Sequence, residues 1–354
     1  MQKLVNPQLA EQISLAADPE TDGAWPTERL KCLREAGVFR WGLPHEFGGI
    51  EVSGGEMLDG YVDLARVCLS SAFILTQRNA ACHRIAACEN RELRQRLLPD
   101  HCAGRAFATV GISHLSTSRQ HWSRPSVAAR QTASGFELSG EAPWVTGARH
   151  ADLLVTGGTL EDGRQILAAI PTNRSGVSLG EPLRLLALNE SHTGSVLLDR
   201  VAIGCNELLG APIANIMKTG ATGGTGSLTT TAVAVGAAMR NLDGILRETT
   251  SRKELTEPIG CLLKEQSTLH ADLLRAASVP LSESESRVAA EQLRHRANSL
   301  VARTAQAYMS CAKGAGFLAG HPAERAVREA MFFQVWSCPP AVTVAALKEL
   351  ADAI

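Results

Sequence analysis

Residues 105 to 206 interrupt a chain that otherwise reads as helix, and this interruption limits the folds open to it. Short apolar runs, Phe107-Ala108-Thr109-Val110, Ile166-Leu167-Ala168-Ala169-Ile170 and Ser195-Val196-Leu197-Leu198, alternate there with Gly, Pro, Asn and Ser. Strands of that length at that spacing fit a small antiparallel barrel or sandwich. With helical sequence on both sides, the expected class is α+β. Its three blocks, residues 1–104, 105–206 and 207–354, are each of ordinary domain size.

The first block shows apolar residues at helical spacing in Pro26 to Ala36, with Gly37 as a C-terminal stop, then in Met57 to Cys68 and Ser70 to Ala87. Glu89 to Leu98 reads as an amphipathic helix ended by Pro99. In the third block, helices are expected over Leu228 to Thr249, Pro258 to Ala277, Ser284 to Ala312, Ala323 to Val335 and Val342 to Ile354. The glycine run Gly220 to Ser227 precedes the first of them. It lacks the Gly-Lys-Ser/Thr ending of a nucleotide-binding P-loop, so a flexible entry loop is its simpler reading.

Composition removes several functions. A net charge of −1 leaves no electrostatic footprint for nucleic acid or an anionic membrane. The residues Met1 to Pro7 have no apolar signal-peptide core and no run is long enough to span a bilayer, so the cytoplasm is expected. The 9 cysteines form no CxxC pair and the 10 histidines no HExxH, so no metal is expected.

Within the strand-like tract, Trp144-Val145-Thr146-Gly147 offers a flat aromatic, a small hydroxyl and a glycine, a set that suits a planar hydrogen-bonding ligand such as a flavin ring. Leu153-Leu154-Val155-Thr156 follows as a buried strand closed by Gly157-Gly158. Taken alone, these residues describe a core tryptophan at a strand end better than a ligand platform.

Four segments, in order, resemble the acyl-CoA dehydrogenase superfamily. Leu43-Pro44-His45-Glu46-Phe47-Gly48-Gly49 is similar to its early P-E-x-x-G-G loop, and Gly140 to Asp152 to its G-x-K-x-W-I-T-N-x-x-x-A-D segment. Arg252 to Ile259 resembles R-x-x-F-G-x-x-I. Gly314-Ala315-Gly316-Phe317 with Pro322 to Ala330 resembles G-x-G-Y … P-x-E-R-x-x-R-D-A. The resemblance implies an N-terminal helical domain, a central antiparallel β domain and a C-terminal four-helix bundle. FAD would lie between the β domain and the helices, in a homo-oligomer. Trp144 and Thr146 match positions that pack on the flavin and hydrogen-bond its reactive edge, which reverses the local reading. Arg252 matches the arginine that pairs with the FAD pyrophosphate, a task its fork of donors suits. Gly314 and Gly316 would let the backbone approach the cofactor.

The departures bear on chemistry. The family's base glutamate, in Y-E-G-T, is replaced by Ser337 in Trp336-Ser337-Cys338-Pro339-Pro340, and a lone serine hydroxyl is a poor proton acceptor near neutral pH. Gly226-Ser227-Leu228-Thr229, where other members carry the base, has no carboxylate. Lys313 and Ser310 replace a glycine and a glutamine, and Ser113 to Ser118 barely matches T-E-P-x-x-G-S-D. His114, His121, His150 and His321 are the replacement bases to inspect, and Cys338 the thiol. The expectation is an FAD-dependent oxidoreductase acting on an acyl-thioester or related small molecule with an altered or lost base. The alternatives are an inactive subunit paired with an active paralogue, a monooxygenase or oxidase of the same fold, and a flavin-independent binding protein. An electron-transfer partner or a paralogous subunit would accompany it.

Overall fold

The computed structural model describes residues 3–16, 23–116, 124–218, 228–250, 252–278 and 283–352. Five helices come first: α1 (Pro7–Leu15), α2 (Thr27–Glu35), α3 (Gly54–Val67), α4 (Leu69–Ala87) and α5 (Arg91–Cys102). Seven strands follow: β1 (Ala108–Gly111), β2 (Val127–Thr132), β3 (Gly135–Val145), β4 (Leu153–Thr159), β5 (Gln165–Pro171), β6 (Val177–Leu179) and β7 (Gly194–Gly204). The chain closes with α6 (Leu228–Glu248), α7 (Thr256–Ser278), α8 (Glu283–Gly316), α9 (Pro322–Phe332) and α10 (Pro340–Asp352).

The helices begin where their sequences provide caps. Ser53 and Glu56 form a reciprocal capping box on α3, and Asn90 accepts from the Leu93 N–H at the start of α5. Pro99 does not end α5. It lies inside the helix, and the Pro99 carbonyl still accepts from the Ala103 N–H. Only a final turn follows the proline, so one absent N–H is tolerated.

The strands form one sheet in the order β1-β4-β2-β3-β7-β6, with β5 also paired to β4. Pairing is antiparallel except for β1 with β4 and the Ala128–Thr159 pair of β2 and β4, which are parallel. The expected glycine stop at Gly157-Gly158 falls inside β4. A Cβ at Gly157 would stand 1.8 Å from the Ile166 carbonyl oxygen, so glycine lets the β4 and β5 backbones meet.

Both faces of β4 and β5 are covered. Leu154, Ile166, Ala168 and Ile170 join Val127, Phe136, Leu138, Val196 and Leu198 in the core of the sheet. Leu153, Val155, Leu167 and Ala169 point the other way, onto Ile85, Leu93 and Leu98 of α4 and α5. Two-sided burial explains why these strands read as continuous apolar runs rather than as an alternation.

A larger core joins α1–α4 to the C-terminal helices. Here α6 supplies small residues for close approach: a Cβ at Gly236 would lie 2.2 Å from the Val62 carbonyl oxygen of α3, and one at Gly244 would lie 2.3 Å from the Tyr308 ring of α8. No helix among the described residues is long and apolar enough to cross a membrane.

A chain of charges, with Arg29, Glu190 and Glu329 buried, ties the helical layers to the sheet. Arg29 of α2 bonds Glu190, in the loop before β7. Arg325 of α9 stands 3.9 Å from the other Glu190 oxygen and 2.8 Å from Glu329, which also pairs with Arg240 of α6. Burial alone would raise the Glu329 pKa, but Arg240 and Arg325 together hold the carboxyl below its ordinary range.

Candidate functional site

The residues singled out in the sequence gather in three places. The first is the end of β3. Trp144 is 50 % exposed, although most large apolar side chains of the sheet are buried. It lies in a register irregularity between the Ala142–Val196 and Val145–Gly194 pairs of β3 and β7. Thr146 is 4 % exposed, with its hydroxyl 3.0 Å from that of Thr193. Thr193 in turn is 2.8 Å from the Ser191 hydroxyl, and Thr109 of β1 donates to the Thr146 carbonyl at 2.6 Å. The turn that follows is fixed by the Gly147 N–H, which donates to the Ser191 carbonyl at 2.9 Å.

Gly147 has φ +64°, and a Cβ there would stand 2.6 Å from the Trp25 ring. Trp25 lies flat on His150, with centroids 4.1 Å apart and planes 9° from parallel. His150 Nε2 is 2.8 Å from His192 Nδ1, and His192 Nε2 is 2.9 Å from the Gly23 carbonyl. A carbonyl only accepts, so His192 carries a hydrogen on Nε2. Desolvation, then His192 and Arg149, lower the His150 pKa.

The second place is the C-terminal end of α8. Arg252 Nη2 donates to the Glu248 carbonyl at 2.7 Å and the Cys311 carbonyl at 2.6 Å. Among the described residues its Nε and Nη1 have no hydrogen-bond partner. These bonds hold the guanidinium beside the segment that carries Gly314 and Gly316. Lys313 breaks the helix there with φ 54°. A Cβ at Gly314 would meet nothing within 4 Å, whereas one at Gly316 would meet Ala312 at 2.7 Å. Gly314 thus borders open space, and Gly316 serves the packing of its own helix. His321 is a cap: its Nδ1 accepts from the Ala323 N–H at 3.1 Å.

The third place is the turn between α9 and α10. Ser337 has φ 48°, a left-handed conformation rare for serine. Arg294 of α8, fully buried, holds this turn through the Trp336 carbonyl at 2.9 Å. Among the described residues its Nε and Nη1 have no hydrogen-bond partner, and burial pushes its pKa down to about 10. Thr343 donates to the Cys338 sulfur at 3.7 Å. No carboxylate is bonded to Ser337 among the described residues. His114 is buried against the Gly157 carbonyl at 2.9 Å. His121 and Gly226-Ser227 lie outside the described residues.

A half-open cleft of about 680 Å³ runs along Pro182 to Leu186 toward Gly23, His192 and Arg328. Neither Trp144 nor Ser337 lines it. Trp25, Ser191, His192 and Thr193 were not singled out in the sequence. Most of their contacts reach far along the chain, 169 residues in the case of His192 and Gly23, although Ser191 and Thr193 also bond each other.

A flavin fits parts of this arrangement. Trp144 is half exposed, Thr146 carries a hydroxyl two residues further on, and Arg252 retains unused donors next to the open space at Gly314.

Comparison with known proteins bears on the fold. The family described as "Acyl-CoA dehydrogenase, N-terminal domain" matches residues 1–105. The chain is 23 % identical over 341 residues to the probable acyl-CoA dehydrogenase YngJ of Bacillus subtilis (strain 168), covering 88 % of this chain and 86 % of that protein. Its fold is similar to that of a glutaryl-coenzyme A dehydrogenase in complex with glutaryl-CoA, with TM-score 0.81, 18 % identity and coverage of 97 % and 93 %. It is equally similar to dibenzothiophene monooxygenase TdsC from Paenibacillus sp. A11-2, with TM-score 0.81, 18 % identity and coverage of 98 % and 94 %.

Proposed function

We propose that this chain, which belongs to the acyl-CoA dehydrogenase superfamily, is an FAD-dependent oxidoreductase whose reaction does not use a carboxylate at position 337. The half-exposed Trp144, with the hydroxyl of Thr146 two residues further on, carries this reading. Trp144 would pack on the ring system and Thr146 would hydrogen-bond its edge. Arg252, held by two carbonyls, would offer Nε and Nη1 to the phosphates, with Gly314 leaving room for them. A bound flavin supplies hydride or electron transfer. The protein's part is to hold it, orient the substrate and exclude water.

The substrate class proposed is an acyl-thioester or a related small molecule. Removal of an α-proton by a positioned base supplies a factor of about 10²–10⁴. Ser337 lacks that capacity, and the buried charge that holds its turn is a cation, Arg294. This observation favours a second reading, a monooxygenase or oxidase of the same fold that needs no such base. A subunit paired with an active paralogue is the third. We place the protein in the cytoplasm, as a homo-oligomer.

The test is the visible spectrum of the purified protein, chromatography of whatever flavin heat releases, and anaerobic stopped-flow reduction by a panel of acyl-CoAs. Released FAD is expected, with slow or absent bleaching by saturated acyl-CoAs. Released FMN with reoxidation coupled to substrate oxygenation supports the second reading. A colourless protein that takes up neither flavin overturns the proposal, and fast bleaching overturns the account of Ser337.

A further inference from the structure

Three hydroxyls from different parts of the β layer stand in one line. Thr146 Oγ1 is 3.0 Å from Thr193 Oγ1, and Thr193 Oγ1 is 2.8 Å from Ser191 Oγ. Each hydroxyl has a single hydrogen to give, so the line has two self-consistent polarities. Running outward, Ser191 donates to Thr193, Thr193 donates to Thr146, and the last hydrogen is presented by Thr146. Running inward, every bond reverses and the last hydrogen is left on Ser191.

The surroundings distinguish the two. Ser191 is 0 % exposed, and its hydroxyl has no acceptor other than Thr193 among the described residues. The inward polarity leaves a buried O–H unpaired, a large penalty relative to the net worth of the bonds themselves. Thr109 does not compete, because its hydroxyl donates to the Thr146 carbonyl and not to the Thr146 hydroxyl. The outward polarity has only the Thr146 hydrogen to place, and a ligand beside Trp144 can accept it.

We infer that Thr193 and Ser191 are positioning residues that fix Thr146 as a hydrogen-bond donor, and thereby make the site favour oxidised over reduced flavin. The inference rests on the proposed placement of the flavin edge at Thr146. The N5 atom of the oxidised ring is an acceptor. After uptake of two electrons and a proton at N5, from a substrate that is oxidised in the exchange, the same atom is an N–H donor. A hydroxyl fixed as a donor complements the first form and opposes the second. A Thr146 that accepts the N–H leaves one hydrogen of the line, its own or a neighbour's, without an acceptor. With valine at 193, the Thr146 lone pair that received the Thr193 hydrogen is free to take the flavin N–H. The polarisation that the line lends to Thr146 as a donor is lost as well. Both effects act in one direction.

The experiment is a redox titration of the bound flavin, followed by absorbance, in the parent, Thr193→Val, Thr193→Ser and Ser191→Ala. Thr193→Val is expected to move the reduced-to-oxidised ratio at fixed potential about tenfold toward reduced. For a two-electron couple that is about 30 mV upward. Ser191→Ala is expected to move it the same way by less, and it reads the same line if the valine variant does not fold. Thr193→Ser keeps the hydroxyl and should titrate with the parent. Three results would overturn the inference: an unchanged potential in both Thr193→Val and Ser191→Ala, a downward shift in either, or a serine variant displaced as far as the valine one. A parent that takes up no flavin fails before any variant is made, and it overturns the underlying reading of the site instead.

Discussion

At the scale of single residues, the same side chain reads differently once its neighbours are known. Arg252 matched a phosphate-binding position in sequence, and the structure shows one of its nitrogens holding two carbonyls from different helices. Both roles are compatible, because a guanidinium has five donors. Replacing Arg252 by Ala should therefore weaken flavin binding by about tenfold or more, since a charge-assisted hydrogen bond contributes about 1.5–3 kcal/mol. It should also loosen the α6–α8 contact. Titration of apoprotein with FAD, together with a thermal melt, separates the two effects; equal affinity in variant and parent would remove Arg252 from the site. Thr146 was legible because it stands two residues after an unusual tryptophan. Thr193 and Ser191 were not, because hydroxyls in loops are common. The pairing of Val145 with Gly194 and the bond from the Gly147 N–H to the Ser191 carbonyl bring positions 146 and 193 together.

At the scale of elements, periodicity located α2 to α10 to within a few residues and left α1 unassigned, and errors also arose where tertiary context overruled a local rule. Pro99 continues its helix and Gly157 continues its strand, the one because little helix remains beyond it, the other because two backbones need the space. The charge chain linking α2, α6 and α9 was not legible, since its members read as solvated helix residues. Glu329→Gln should be among the most damaging single changes to this chain. Removing one partner of a fully buried pair costs about 3–5 kcal/mol; the cost here is smaller than that, because the bared Arg240 and the half-exposed Arg325 are partly solvated. The sign of the pH dependence follows. The Glu329 pKa is lower in the folded state than in the unfolded one. Its contribution is complete above the ordinary carboxylate range and is lost as pH falls through the depressed folded value. Denaturant midpoints measured from neutral pH downward should fall less steeply in Glu329→Gln than in the parent. Parallel slopes would show that Glu329 titrates alike in both states.

At the scale of the whole molecule, the three-block order was legible because helix and strand periods differ, and the two-sided burial of β4 and β5 was implicit in their unbroken apolar runs. Association was harder to read, since a helix pattern does not say which stripe faces another copy. Val344, Leu347 and Leu350 form an exposed apolar row on α10, and Phe317 and Leu318 are exposed after α8. Such rows are commonly covered by a second copy. Light scattering should therefore give a mass at a multiple of 37.6 kDa at micromolar concentration, and Leu347→Glu should lower it. A parent that elutes as a monomer would count against this covering. The bond from Arg29 to Glu190 has a practical consequence for anyone dissecting the protein. Residues 1–105 resemble a self-contained module in sequence, yet a fragment cut there retains a cation whose counter-ion has been discarded with the remainder. The ends of a sequence motif and the ends of a separable piece do not coincide in this chain. A truncation designed on the former should precipitate, because it also bares the apolar faces that α1–α4 bury against the C-terminal helices.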